Sequence, residues 1–349
     1  MFLHALATAN PARSLSQDDC WTIAQRSPAV QEGLHRRSQL ILRTVLRGHS
    51  GIDQRQFAVS DVNRIFDLDT DDLNAEFRRA APELAANALR PALIEAGLDP
   101  QQLDALVICT CTGYLCPGVT SYVAEQLGLR PDVYLQDLVG LGCGAAIPAL
   151  RAVQGILAAR PDAVVACVAV EVCSAAFYLD DDPGVIISAC LFGDGAAATI
   201  WRSIAGPSGL RAHGFDTVHQ PEHRDRIRFE HRHGKLRNLL HSSVPGLAAA
   251  AVAELHHRAT AAPEARRISR IIAHSGGKDV IDALESVLPG HTLDATRTVL
   301  RHHGNMSSPS VLFGLAEALK SGAPTTDTDW WLTAFGAGFS AHGCRLGLA

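Results

Sequence analysis

Apolar residues in this chain gather into short, nearly continuous runs separated by longer amphipathic stretches. The runs are 105–110 (ALVICT), 163–170 (AVVACVAV), 196–200, 268–273 (ISRIIA) and 331–335. Runs of this length with no polar alternation predict strands covered on both faces, in a parallel or mixed sheet. Between them lie helical patterns. Residues 73–95 are rich in Ala, Leu and Arg and stop before Gly97; 120–127 stop at Gly128; 145–159 are apolar almost all round; 244–256 follow the junction. Residues 279–288 put Val280, Ile281, Leu284, Val287 and Leu288 on one face. Ser308 and Pro309 read as N-cap and first residue of a helix to about Lys320, closed by Gly322. Residues 1–75 read as polar and irregular, with helix around 39–46. Residues 203–243, rich in His, Arg, Gly and Pro, read as a junction with irregular strands. Strand–helix alternation on both sides of that junction predicts a layered α/β fold, with two similar halves at 1–205 and 206–349.

Length adds that 349 residues suit two domains or one large layered unit. With 47% hydrophobic and 19% charged residues, disorder is excluded. Lys and Arg total 31 against 36 Asp and Glu, so no basic excess points to nucleic acid. No apolar run approaches 18 residues, so no membrane span is expected. Residues 1–10 are too short and lack the basic start of a signal peptide. Nine cysteines at irregular spacing, with Cys167, Cys173 and Cys190 inside apolar stretches, suit a reducing cytoplasm. His213, His219, His223, His231, His233 and His241 match no compact zinc spacing, so no metal is expected.

Three residues carry candidate chemistry. Cys143 stands between Gly142 and Gly144 just before the 145–159 helix. A helix N-terminus lowers a thiol pKa, and flanking glycines admit a substrate; the residue is either an activated nucleophile or a packed core cysteine. His274 closes a buried strand and precedes two glycines, a position suited to a base, an acid or an oxyanion donor, or to a turn histidine. Asn305 precedes a helix and offers two uncharged donors for an enolate or thioester oxygen, or simply occupies a turn.

Taken in order, Cys143, His274 and Asn305 resemble the triad of condensing enzymes of the thiolase fold. With FGDGAAA (192–198), HSGG (274–277), GNMSSPSVLF (304–313) and FGAGF (335–339), the whole chain resembles type III polyketide synthases, the chalcone and stilbene synthase superfamily. The resemblance implies a thiolase-like αβαβα fold and a cytoplasmic homodimer needing no cofactor, since CoA thioesters are substrates. Cys143 would take an acyl group from CoA. His274 and Asn305 would hold malonyl-CoA as it loses carbon dioxide and the resulting enolate attacks the acyl-cysteine, iteratively, before cyclisation.

Other positions follow from the same resemblance. Phe192 matches an aromatic at the pocket mouth. Cys111, Ala176 and Ser307 match cavity-lining positions, and Cys116 a loop residue that reaches across a dimer interface. A second gatekeeper Phe of plant enzymes aligns at Asn238 and Leu239, where none is present. Small side chains at Asn238, Ala176 and Cys116 predict an enlarged pocket. Gly336, Ala337 and Gly338 match a Gly-Pro-Gly cyclisation loop, with Ala337 replacing the proline and leaving the loop less rigid. Arg43, Arg47, Arg55 and Lys278 are candidate cations for the CoA phosphates. CTGYLCPG, EVCSAAF and HSGGKDVID look most like the bacterial dihydroxyphenylacetyl-CoA synthases, which use malonyl units only; a fatty-acyl starter for an alkylresorcinol or alkylpyrone is the competing expectation. Alternatives outside the family are a carrier-protein-dependent ketoacyl synthase stopping after one condensation, and a non-enzymatic thiolase-fold protein.

Overall fold

A computed structural model describes residues 1–261 and 265–349. Nine strands form one mixed sheet in the order Arg267–Ala273, Thr328–Gly336, Ser340–Leu348, Leu210–His219, Phe2–Ala9, Gly195–Arg202, Val165–Glu171, Ala105–Cys109 and Tyr134–Leu138. Its middle is a narrow joint: Leu210–His219 meets Phe2–Ala9 through the pair Phe2 and Arg211. Either side of the joint the connectivity repeats. Leaving aside the edge strand Tyr134–Leu138, each half runs second, third, fourth, first strand across the sheet. The neighbours are parallel, antiparallel and antiparallel in both halves.

Successive residues of a strand face opposite sides, and both faces here are covered. Val107, Cys109, Val165, Cys167 and Ala169 in one half, and Trp330, Leu332, Ala334, Cys344 and Leu346 in the other, share one core. Two helices fill it, Ala146–Ala159 and Ser310–Leu319. On the outer face of the first half, Leu106, Ile108, Ala166, Val168 and Val170 pack under helix Thr70–Glu95. On that of the second, Ile271, Ala273, Trp331 and Phe335 pack with Val244–Ala261 and Lys278–Val287. The result is the expected αβαβα layering. Each fully buried Leu, Ile or Val contributes ~1.5–3 kcal/mol, so the broad apolar faces of the two central helices are stable only when packed against the sheet.

Local signals explain most boundaries. Asp69 caps Thr70–Glu95 by accepting from the Asp72 N–H, with Asp71 and Asp72 at the positive end of the helix dipole. Helix Val119–Leu127 ends at Gly128 with φ +63°. Three readings are corrected. The start of the chain is a sheet strand, Phe2–Ala9, within a stretch read as irregular. The 203–243 stretch holds the ten-residue strand Leu210–His219 and a hairpin, Ile227–Arg232 with Lys235–Leu240. Ser308 does not cap the next helix; its hydroxyl donates to Glu171, and Pro309 is the residue before Ser310–Leu319. No helix among the described residues is long and apolar enough to cross a membrane.

Candidate active site

The repeat places Cys143 and Asn305 at matching points, just ahead of the two central helices. It also places Cys111 and His274 at matching points, just past the second strand of each half. Cys143, Cys111 and Asn305 come together around Ser307, and His274 lies beside Gly276, whose carbonyl Asn305 binds.

Cys143 lies in a tight turn, Gly142–Gly144, before Ala146–Ala159. Gly142 has φ +59°, and a Cβ there would sit 2.9 Å from the Ala337 nitrogen. A Cβ on Gly336 would fall within 2.6–2.9 Å of main-chain atoms of Gly144, Leu141 and Cys143. The Cys143 turn and the 336–338 segment therefore pack main chain on main chain, which only glycine permits. Cys143 Sγ accepts from the Ser307 hydroxyl at 3.2 Å, and Ser307 Oγ is 3.2 Å from Cys111 Sγ. Burial pushes the Cys143 thiol up to about 12, Ser307 opposing this and the Glu171 charge reinforcing it. The expected lowering by the helix is thus reversed. A helix N-terminus is worth roughly 0.3–1 kcal/mol, and the side chain lies buried among Phe57, Cys173, Phe177, Ile186 and Phe192.

Gly304 has φ +68° and a Cβ there would meet the Leu191 carbonyl at 2.6 Å. The next residue, Asn305, is threaded beside Phe192: its N–H donates to Leu191 O at 2.9 Å, and its carbonyl accepts from Gly193 N–H at 3.0 Å. Asn305 Oδ1 accepts from the Ser307 N–H at 2.8 Å, and Nδ2 donates to Gly276 O at 3.2 Å, leaving its second N–H without a partner among the described residues. Ser307 itself is held at φ +57°, a costly conformation for a residue with a side chain. His274 is buried, edge-on to Phe335 at 5.3 Å. Its Nδ1 has no hydrogen-bond partner among the described residues. Burial lowers its pKa to about 3, so the ring is neutral.

Glu171 was not among the sequence candidates. It is fully buried and ends strand Val165–Glu171. Oε2 accepts from Thr110 Oγ1 (3.1 Å), Cys111 N (2.9 Å), Thr112 N (3.1 Å) and Thr112 Oγ1 (2.9 Å), and Oε1 from Ser308 Oγ (2.6 Å). It ties the Cys111 loop to the Ser307 loop. Its signal in the sequence is a lone carboxylate closing the apolar run AVVACVAV.

A cavity of about 670 Å³ opens beside the Cys143 turn, with Cys111, Thr112, Gly142, Ala337, Gly338 and Phe229 in its wall. A second, of about 20 Å³, lies between Ala176, Phe177, Phe192, Phe229 and Asn238. Phe229 faces both. It pairs with Asn238 across the hairpin, so an aromatic occupies the space that Asn238 and Ala176 leave. The expected enlargement there is corrected: Phe229 on the opposite strand fills it.

Other sequence candidates scatter. Cys116 is exposed and outside both cavities. Arg55 is buried, donating to Gln17 Oε1 (3.0 Å), Ala189 O (2.8 Å) and Phe192 O (2.7 Å). It braces the Phe192 backbone and cannot reach a phosphate. Arg43 is exposed, Arg47 pairs with Asp18 at 2.9 Å and Lys278 with Asp282 at 3.0 Å. No metal-ligating cluster occurs among the described residues.

Residues 8–205 match the family model described as FAE1/Type III polyketide synthase-like protein. Residues 259–347 match the 3-Oxoacyl-[acyl-carrier-protein (ACP)] synthase III C terminal. The chain is 32% identical over 292 residues to a 3,5-dihydroxyphenylacetyl-CoA synthase of Streptomyces toyocaensis, covering 78% of this chain and 74% of that one. It is 28% identical to a 1,3,6,8-tetrahydroxynaphthalene synthase of Streptomyces griseus, covering 77% and 72%. Among solved structures, PKS-I of the brown alga Ectocarpus siliculosus aligns with TM-score 0.89 at 23% identity, covering 100% and 98%. The tetrahydroxynaphthalene synthase of Streptomyces coelicolor A3(2) aligns with TM-score 0.86 at 23% identity, covering 100% and 99%. Both share this fold.

Proposed function

The chain belongs to the type III polyketide synthases, and from that premise we propose that Cys143, His274 and Asn305 perform its acyl transfer and decarboxylative condensation. The observation that carries the assignment is one hydrogen-bonded line. Ser307 joins Cys143 Sγ (3.2 Å, through its hydroxyl) to Asn305 Oδ1 (2.8 Å, through its N–H), so nucleophile and enolate donor share a single support.

The Cys143 thiol rests protonated and the His274 ring neutral, and values of about 12 and about 3 oppose transfer between them in the free protein; the ring is assigned the thiol proton only as attack on a bound thioester draws out the thiolate charge. The thiolate attacks the CoA thioester carbonyl, and the C–S bond to CoA breaks. CoA leaves as the thiol with the proton, and the acyl group stays on Cys143. Malonyl-CoA then places its thioester oxygen against the free Asn305 N–H and the His274 ring. Cleavage of the C–CO2 bond puts an electron pair on that oxygen as an enolate, which the preorganised donors stabilise. Its carbon attacks the acyl-cysteine, the thiolate departs, and the chain returns to CoA two carbons longer. Decarboxylation itself generates the nucleophile, so no cofactor enters the cycle.

The starter reading is malonyl, with closure to an aromatic product. The two relatives named above are synthases of small hydroxylated aromatics. Phe229 closes the side space a long acyl chain would use. Arg224, Arg228, His231 and Lys235 lie in the wall of the large cavity, where methylenes would displace their water with nothing in return while a β-ketone chain offers carbonyl acceptors in exchange. Malonyl-CoA alone is therefore expected to yield an aromatic acid or its CoA thioester by mass spectrometry. Octanoyl-CoA or lauroyl-CoA carried into the product would reject this reading. Phe229→Ala merges the two cavities and is expected to lengthen products by one or more two-carbon units; an unchanged product mass would show that Phe229 does not bound the chain. The carboxyl-terminal match to a carrier-protein synthase supports a second reading, in which a malonyl carrier protein replaces malonyl-CoA, and the same assay with each donor separates them.

Assembly is read as a homodimer. The edge strand Tyr134–Leu138 exposes Tyr134 and Leu135, with Tyr114 and Val139 exposed nearby, an unblunted edge suited to a second copy. Arg43, Arg47 and Lys278 stay candidates for the CoA phosphates, because exposed ion pairs are worth ~0–1 kcal/mol and exchange readily.

A further inference from the structure

Behind the 336–338 wall runs a chain of side-chain hydrogen bonds that the mechanism above does not use. Ser340 Oγ lies 2.9 Å from the Ala337 carbonyl oxygen. His342 Nε2 lies 3.1 Å from Ser340 Oγ, and His342 Nδ1 lies 3.0 Å from Thr217 Oγ1. The donors can be assigned in order. A carbonyl only accepts, so the Ser340 proton is committed to Ala337. His342 Nε2 then donates to Ser340, and Nδ1 accepts from Thr217. One neutral tautomer satisfies every link. Burial, with His219 and Arg151 nearby, lowers the His342 pKa to about 4, which keeps that tautomer uncharged.

The ring also touches the other side of the seam. A Cβ on Gly144, the residue after Cys143, would sit 3.1 Å from His342 Cδ2. His342 thus abuts the nucleophile turn and, through Ser340, holds the segment that packs against it. Ala337 and Gly338 form part of the large cavity's wall. A proline at 337 would lock φ and stiffen this wall; alanine does not.

We propose that His342, with Ser340 and Thr217, is a positioning residue for the condensation: the chain fixes the Ala337 carbonyl and so supplies the wall rigidity that a proline at 337 would provide. This rests on the polyketide synthase reading. A wall misplaced by about 1 Å leaves Cys143 able to load but lets the growing chain adopt unproductive poses, which are released early.

The test uses the full-length protein as Ser340→Ala, His342→Ala, His342→Gln and the Ser340→Ala/His342→Ala double variant, with malonyl-CoA as the only substrate. Two quantities are read: the initial rate of acyl-enzyme formation on Cys143 by intact mass, and the ratio of full-length cyclised product to shorter released chains. Ser340→Ala and His342→Ala are expected to lower that ratio about fivefold, the worth of one lost hydrogen bond. The double variant should be no worse than either single, since both break one chain. Loading should stay within roughly twofold. His342→Gln should recover the ratio, because its amide oxygen can accept from Thr217 while its amide nitrogen donates to Ser340. An unchanged ratio in Ser340→Ala would overturn the proposal, as would loading and ratio falling together with no recovery in His342→Gln. Should His342→Ala not fold, Ser340→Ala decides. A wild-type protein that makes no polyketide would reject the functional reading instead.

Discussion

Cys143→Ala is expected to abolish acyl-enzyme formation and every later condensation, leaving no product above background. The alanine variant keeps the turn, because the position has ordinary backbone geometry, unlike Gly142 before it. The measurement is intact-protein mass after brief exposure to malonyl-CoA, with peptide mapping of the adduct. General alkylation is the wrong probe for this site. Cys143 is buried and its thiol is held protonated, whereas Cys116 is exposed; iodoacetamide should therefore modify Cys116 first in the free enzyme, with little loss of activity. The discriminating result is an acyl adduct mapped to Cys143 and missing in Cys143→Ala. An adduct that persists in that variant would place the nucleophile elsewhere.

Asn305→Ala is expected to lower decarboxylation about a hundredfold or more while sparing the first acyl transfer. Its free N–H is assigned to an oxygen that gains full charge only when carbon dioxide leaves, and removing one such donor costs ~3 kcal/mol. Asn305 Oδ1 also holds the Ser307 N–H. Asn305→Asp keeps that acceptor and removes the donor, so it should lose decarboxylation as fully as alanine does. His274→Ala should impair both steps, because the same ring is also assigned the thiol proton. Carbon dioxide release and adduct formation, measured separately, test this division; equal loss of loading in the Asn305 and His274 variants would reject it.

Legibility from sequence followed the kind of side chain that makes the contact. Strands of Val, Ile, Leu and Cys, such as Ala105–Cys109 and Val165–Glu171, stood out because burial on both faces leaves a continuous apolar run. Ser340–Leu348 is as deeply placed, yet it reads SAHGCRLGL, and its buried His342 and Arg345 bond to partners far along the chain, Thr217 and the Arg266 carbonyl. Leu210–His219 and Phe2–Ala9 are harder to read for another reason: each is only partly buried, with few buried residues to make a continuous apolar run. The candidate triad was readable because glycines and strand ends flag sharp local geometry. Glu171 and Phe229 were not, since their roles depend on loops and a cross-strand partner that only the fold brings together. The direction of the Cys143 pKa was misjudged for a related reason: the nearby helix start is local, whereas the burial that outweighs it comes from other segments.

The main-chain seam between the Cys143 turn and the 336–338 segment bears on how this protein can diversify. At Gly142 and Gly336 the neighbours are main-chain atoms that cannot retreat, so drift at either position meets a steric wall at once. Phe229, which faces both cavities, and Asn238 and Ala176, which line the smaller one, stand apart from that seam and can change size without touching it. A lineage built on this scaffold is free to explore new carbon skeletons one wall residue at a time, while inheriting the bond-forming step unaltered.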